Sequence, residues 1–147
     1  MSSMPRYSDF FDFEEFHVRS GFKKEYISLW SGWLGNENIH KLDEVTKREW
    51  ERFNKLVLQI DKSFTLWAPD HNQRKLNRVD DISESLSDYQ ESIEKESSQF
   101  SQYLIQELEC VLTEEWDYTY ILWYHNHQML EALSPLVKSC NLFHFRD

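Results

Sequence analysis

The chain has 147 residues, a formal net charge of −10 and 40% hydrophobic residues, with 23 aromatic residues but only three Gly and three Pro. This length fits a single domain, 1–147, and the composition excludes disordered, collagen-like and disulfide-scaffold proteins. The longest uncharged run, 118–130, is too short and too polar to span a bilayer, and the first thirty residues lack a secretory signal pattern. We therefore expect a cytoplasmic protein with no membrane association.

Aromatic residues crowd the first forty positions without one clear period. The stretch 11–18 favours an extended segment. Further on, the apolar residues from Tyr26 to Leu34 recur at helical spacing and are followed by Gly35. This pattern predicts a helix over about 23–34 with a glycine C-cap.

The clearest helix start lies at Thr46. Thr46 and Glu49 have the spacing of a capping box, in which each side chain bonds the other residue's backbone amide. Apolar residues then recur at steps of three and four, as in one buried helical stripe: Trp50, Phe53, Val57, Ile60 and Phe64. The pattern predicts a helix over about 46–63, then a short strand at 65–67 and a loop at 70–74.

The next segment, 79–117, carries the whole acidic excess of the chain. It holds one Lys and twelve Asp or Glu, net −11, whereas the rest of the chain is net +1. Asp81 can cap a helix whose apolar positions lie in a narrow arc at 100° per residue: Ile82, Leu86, Tyr89, Ile93, Phe100, Leu104 and Val111. The phase predicts one long amphipathic helix over about 82–112, roughly 45 Å long. A break at Ser97 is the alternative.

After Glu115 the period changes from 3.6 to 2. The aromatic and β-branched stretch near 117–125 predicts a strand. A short helix near 129–137 follows, which we expect to bend or restart at Pro135, and a strand near 142–146 closes the chain. The expected fold class is α+β: a helix-dominated single domain with a small sheet.

Three histidines are the candidate metal ligands. His125 and His127 lie at a strand end with both rings on one side, and His144 on the closing strand can approach them to form an open zinc site. No HExxH motif supports such a site, and we expect Cys110 and Cys140 to be buried, reduced thiols. We therefore expect no cofactor. A small metal-dependent enzyme or sensor that uses these three histidines is the alternative hypothesis.

Charge gives the leading functional hypothesis. Catalysis is not predicted, because the chain has no GxSxG motif and no Gly-rich phosphate loop. The net charge argues against direct binding to nucleic acid and favours a basic protein partner, such as a toxin. The leading hypothesis is a non-catalytic binding or inhibitory protein, for example an immunity protein neutralising a nuclease toxin. In this hypothesis the acidic face of the long helix contacts the basic partner through four residues: Glu84, Asp88, Glu91 and Glu94.

Two alternatives to this hypothesis concern the same acidic segment. In the first, 79–117 is only a solvated surface without a partner. In the second, the long helix pairs with its copy, which makes the protein a self-associating structural or regulatory homo-oligomer.

Overall fold

The computed structural model describes residues 5–12, 17–86, 101–115 and 118–146. Among these residues, seven strands form one antiparallel sheet in the order β3-β2-β4-β5-β6-β1-β7. The strands are β1 Lys23–Ser28, β2 Leu66–Asp70, β3 Lys75–Arg78, β4 Gln102–Ile105, β5 Cys110–Glu115, β6 Thr119–Tyr124 and β7 Phe143–Phe145. The described α-helices are α1 Tyr7–Phe10, α2 Gly35–Asn38, α3 Lys47–Ser63, α4 Ile82–Ser85 and α5 Gln128–Ser139, and the described 3-10 turns span Ile39–Glu44 and Gln106–Leu108.

Both faces of the central strands are buried, each by a different part of the chain. α3 and α5 cover one face, which we call the helix face; there the ring of Phe53 stacks on that of Tyr120 in β6, with centroids 5.0 Å apart. The opposite face lies under the N-terminal segment, where Phe11 belongs to the same cluster as Leu104 of β4 and Val111 of β5. Successive strand residues therefore alternate between two apolar environments.

The prediction of a helix-dominated domain with a small sheet is wrong, and the error lies in the helix expected over 82–112. At the start of this range the structure has the short helix α4. Residues 102–105 and 110–115 are strands joined by a 3-10 turn, and residues 87–100 lie outside the described part. Leu104 and Val111 are seven residues apart, which fits a heptad, but they are cross-strand neighbours in the β4–β5 hairpin. Because the central strands are covered on both faces, apolar residues occupy consecutive positions at 103–105 and 110–112, and some of them fall by chance at helical spacing.

The helix predicted over 23–34 is also wrong. Residues 23–28 form β1, which pairs with β6 on one side and with β7 on the other. The sequence of this strand shows no alternation of apolar and polar residues, because Glu25 and Ser28 are buried together with Ile27. The extended segment predicted at 11–18 is represented by one bridge between Phe11 and Val18, with 13–16 outside the described residues.

The predicted start of α3 is confirmed. The Thr46 side chain accepts the Arg48 amide at 3.3 Å, and the Thr46 amide donates to a Glu49 carboxylate oxygen at 3.0 Å. The Thr46 hydroxyl also donates to that carboxylate, and this hydrogen bond lowers the pKa of Glu49 below its ordinary value. All these groups lie within one turn, which explains why sequence alone locates this helix.

Local signals also locate the β2–β3 turn and the strands β6 and β7. The loop predicted at 70–74 is the β2–β3 turn, where Asp70 accepts the Gln73 amide at 3.1 Å. The strands predicted near 117–125 and 142–146 are β6 and β7. α5 does not restart at Pro135, because the helix runs without a break from Gln128 to Ser139 with Pro135 inside it. Proline has no amide hydrogen for the Glu131 carbonyl, but both residues are exposed, so water can replace that bond.

The two cysteines are free and buried, as expected. Burial raises the pKa of the Cys110 thiol far above its ordinary value, which makes it an unreactive core group. Within the described ranges, no helix combines the length and apolar character needed to cross a bilayer.

Candidate binding site

An apolar pocket of about 400 Å³ opens on the sheet face opposite the helix face. Its floor crosses three neighbouring strands, where Ser28 of β1, Thr119 of β6 and Glu115 of β5 lie side by side in register. Its wall is the connection between β1 and α3. We call it the aromatic pocket, and the residues that carry its chemistry are Tyr26, Trp30, Trp33, Ile39, Leu42 and Glu115.

Trp33 forms the rim of the aromatic pocket. Its indole makes edge-to-face contacts with Tyr26 and Phe145, with ring centroids 4.7 and 5.1 Å apart, yet 56% of the residue is exposed. Ile39, also on the rim, is 54% exposed. Large apolar side chains grouped in a concave surface mark a binding site, and Trp and Tyr are the residues most enriched where binding energy concentrates. The rings around Trp33 thus hold it in place without burying it.

The local backbone explains how the wall forms. The Trp30 amide donates to the Ser28 hydroxyl at 3.3 Å, just beyond the end of β1. Gly35 has φ +66, a left-handed conformation that glycine adopts without steric cost. The chain thereby turns into α2 and the following 3-10 helix, which brings Ile39 and Leu42 to the pocket lined by Trp33.

Glu115 supplies a carboxylate to the floor of this mostly apolar pocket. Burial raises the pKa of Glu115 above its ordinary value, and the nearby Glu114 carboxylate adds to this. Three groups lower this pKa without overcoming the rise. They are His17, Lys24 and the Thr113 hydroxyl, which donates a hydrogen bond of 3.3 Å to the carboxylate. The ionised carboxylate is therefore incompletely compensated, and a further cation in the pocket would stabilise it.

The acidic face predicted from the sequence is not assembled by the described residues. Glu84 is exposed on α4, where Asp81 accepts the Ser83 amide as N-cap at 3.1 Å. α4 ends at Ser85, because Leu86 has an extended backbone with ψ 140. The other three predicted binding residues, Asp88, Glu91 and Glu94, lie outside the described part.

The predicted metal ligands are not brought together. His125 stacks on Phe22 at 4.0 Å between centroids, whereas the two ring nitrogens of His127 face Lys23 and Arg146 at 3.3 and 3.0 Å. Two cations beside His127 oppose the approach of a metal ion. Among the residues that the structure describes, no group of three His, Cys, Asp or Glu side chains could hold a metal ion.

His144, the third of these histidines, belongs to a separate hydrogen-bonded series on the helix face. Its Nδ1 lies 2.6 Å from a carboxylate oxygen of Glu25, and its Nε2 lies 2.9 Å from the hydroxyl of Ser134 in α5. The order Ser–His–Glu is that of hydrolase triads. However, Ser134 lies inside a helix, where neighbouring amides are already bonded, and Pro135 has no amide to form an oxyanion hole. The series ties β7 to β1 and α5.

Sequence reasoning missed Trp33 and Glu115 as site residues. It placed Trp33 in a helix and treated Glu115 as part of a solvated acidic run. A usable signal is present in hindsight, since two of the three glycines, Gly32 and Gly35, flank Trp33 and predict a loop that exposes it.

Comparison with known proteins assigns no family or function to this chain. The chain matches no protein-family model, no curated protein and no solved structure. The functional argument therefore depends on the residues of the aromatic pocket alone.

Proposed function

We propose that this protein is a non-catalytic binding protein whose aromatic pocket receives a Lys or Arg side chain from a basic protein partner. The observation that carries the proposal is the pairing of an exposed tryptophan rim with a half-buried, incompletely compensated carboxylate in one pocket. A lysine or arginine side chain combines an apolar stem with a terminal charge, which are the two features this pocket complements.

The energetics favour a cation over a neutral guest. The stem would pack against Trp30 and Trp33, and a cation over an aromatic face gains about 0.5–2 kcal/mol, depending on desolvation. Pairing with Glu115 would add about 1 kcal/mol, because the carboxylate is partly shielded from water. The net charge of −10 would speed the approach of a basic partner. A basic toxin is one partner of this kind.

The test uses blocked tripeptides as probes of the pocket. Acetyl-Gly-Lys-Gly-amide and acetyl-Gly-Arg-Gly-amide are titrated into ¹⁵N-labelled protein, with the norleucine analogue of the lysine peptide as a neutral match for its stem. We expect saturable shifts of the Trp30 and Trp33 indole signals with the cationic peptides. Glu115→Gln should weaken their binding about fivefold, the equivalent of about 1 kcal/mol. Trp33→Ala should weaken binding of all three peptides.

Two matched variants control for nonspecific effects. Leu58→Ala removes an exposed apolar side chain from α3, outside the pocket, and should leave binding unchanged. Glu84→Gln removes an exposed carboxylate of the acidic segment and separates its contribution from that of Glu115. Equal binding of the norleucine and lysine peptides, or an effect of Glu84→Gln equal to that of Glu115→Gln, would overturn the proposal.

A further inference from the structure

A second concave surface lies at the other end of β1 and has the opposite charge. It is a cleft of about 520 Å³ lined by Phe22, Lys23, Lys24, Tyr26, Tyr124, His127 and Arg146. The start of β1 and the end of β6 meet here, because Lys23 pairs with Tyr124, and the residue after β7 arrives beside them. We call Lys23, His127 and Arg146 the cation cluster. It is a basic site in a protein of net charge −10.

The cation cluster contains more donors than acceptors. Lys23 Nζ lies 3.3 Å from His127 Nε2, and an Arg146 Nη atom lies 3.0 Å from His127 Nδ1. A neutral imidazole has one lone pair and accepts one of these hydrogen bonds; a protonated imidazole accepts neither and adds a third positive charge. An anion placed among the three side chains would accept from all of them.

The described groups around the cation cluster leave it positive. Glu25 is the nearby buried carboxylate, and its oxygens already face Arg146 Nε at 3.0 Å and His144. Lys24 also lines the cleft and adds a positive charge to it. Its ammonium lies over the ring of Trp123, 4.8 Å from the ring centre. α5 begins next to His127, so the positive end of its dipole faces the same side. Its first amides bond Asn126 and His127, and the side chains of the cluster must therefore supply the donors.

We propose that the cation cluster binds a phosphate-monoester group. At neutral pH such a group carries between one and two negative charges and three acceptor oxygens, enough for Lys23, His127 and Arg146 together. A carboxylate offers one charge and two oxygens, so it matches this donor set less well. The ester can belong to a small phosphorylated metabolite or to a phosphorylated side chain, which share this chemistry.

The experiment is a titration of the full chain at constant ionic strength, followed by ¹H–¹⁵N NMR. The probes are inorganic phosphate, glycerol 3-phosphate, blocked phosphoserine and acetate. We expect saturable shifts around His127 with the three phosphates and binding of acetate at least tenfold weaker. Tighter binding of glycerol 3-phosphate than of phosphoserine indicates a metabolite, and the reverse order indicates a phosphorylated side chain; both support the proposal.

Variants test whether the cation cluster is the site that binds phosphate. Lys23→Gln and Arg146→Gln should each weaken binding of inorganic phosphate at least fivefold, whereas Lys47→Gln, at an exposed lysine of α3, should not change it. The proposal is overturned if phosphate causes no saturable shift, if acetate binds equally well, or if Lys23→Gln and Arg146→Gln match Lys47→Gln.

Discussion

The attachment of the C-terminal strand can be tested through Glu25. β7 has three residues and pairs only with β1 among the described strands, so side-chain contacts must help to hold it. The Glu25 side chain is 4% exposed and lies 2.6 Å from His144 Nδ1 and 3.0 Å from Arg146 Nε. Glu25→Gln keeps the size of this side chain and removes its charge.

The expected loss of stability follows from the exposure of the two partners. A charge-assisted hydrogen bond contributes about 1.5–3 kcal/mol and a neutral one about half of that, so weakening the His144 bond costs about 1–1.5 kcal/mol. The Arg146 side chain is 54% exposed, which limits its share to about 0.5 kcal/mol. The total of about 2 kcal/mol corresponds to a decrease in Tm of about 6 °C for a chain of this length.

Thermal and urea unfolding followed by circular dichroism measure this change, and amide exchange at 143–145 shows whether β7 is the part released. Arg146→Gln should lower the free energy of unfolding by less than about 1 kcal/mol. Glu131→Gln, at an exposed carboxylate of α5, should change this free energy by no more than about 0.5 kcal/mol. A decrease in Tm below 2 °C for Glu25→Gln would refute the reasoning, because a paired buried carboxylate cannot be neutralised at so small a cost.

Three further predictions concern the capping box, a core thiol and the pocket carboxylate. Thr46→Ala should lower the free energy of unfolding by about 1 kcal/mol and Thr46→Ser should restore it; equal stability of the two variants would contradict a capping role. Cys110 should not react with Ellman's reagent in the native protein and should react after unfolding in guanidinium, because burial raises its pKa; rapid labelling of the native protein would contradict its burial. Since the pKa of Glu115 is raised, the native state holds its proton more strongly than the unfolded chain does, and ionisation destabilises the fold. Glu115→Gln should therefore have a higher Tm than the wild type at pH 7, and the difference should shrink as the pH falls towards 4.5; a difference that grows on acidification would contradict the raised pKa.

The elements predicted well from sequence are those whose signals lie within a few residues. Thr46 and Glu49 cap α3 from inside its first turn, and the Asp70 side chain helps to form the turn after β2. β6 was located because its residues combine β-branched and aromatic side chains over six positions. The helix predicted over 82–112 failed because spacing alone cannot distinguish Leu104 and Val111 on one helix from the same residues on paired strands.

The sequence by itself determined where the charge lies, that Cys110 belongs to the core and where α3 begins, because composition and capping depend on local chemistry. Only the tertiary structure decided which aromatic and charged side chains meet. Trp33 and Glu115 are far apart in the chain and share a pocket because β1, β6 and β5 are neighbours in the sheet. Lys23 and Arg146 converge on His127 for the same reason, since β1 lies between β6 and β7. Strand order is set by long-range pairing and burial on two faces, which no local pattern in the chain records.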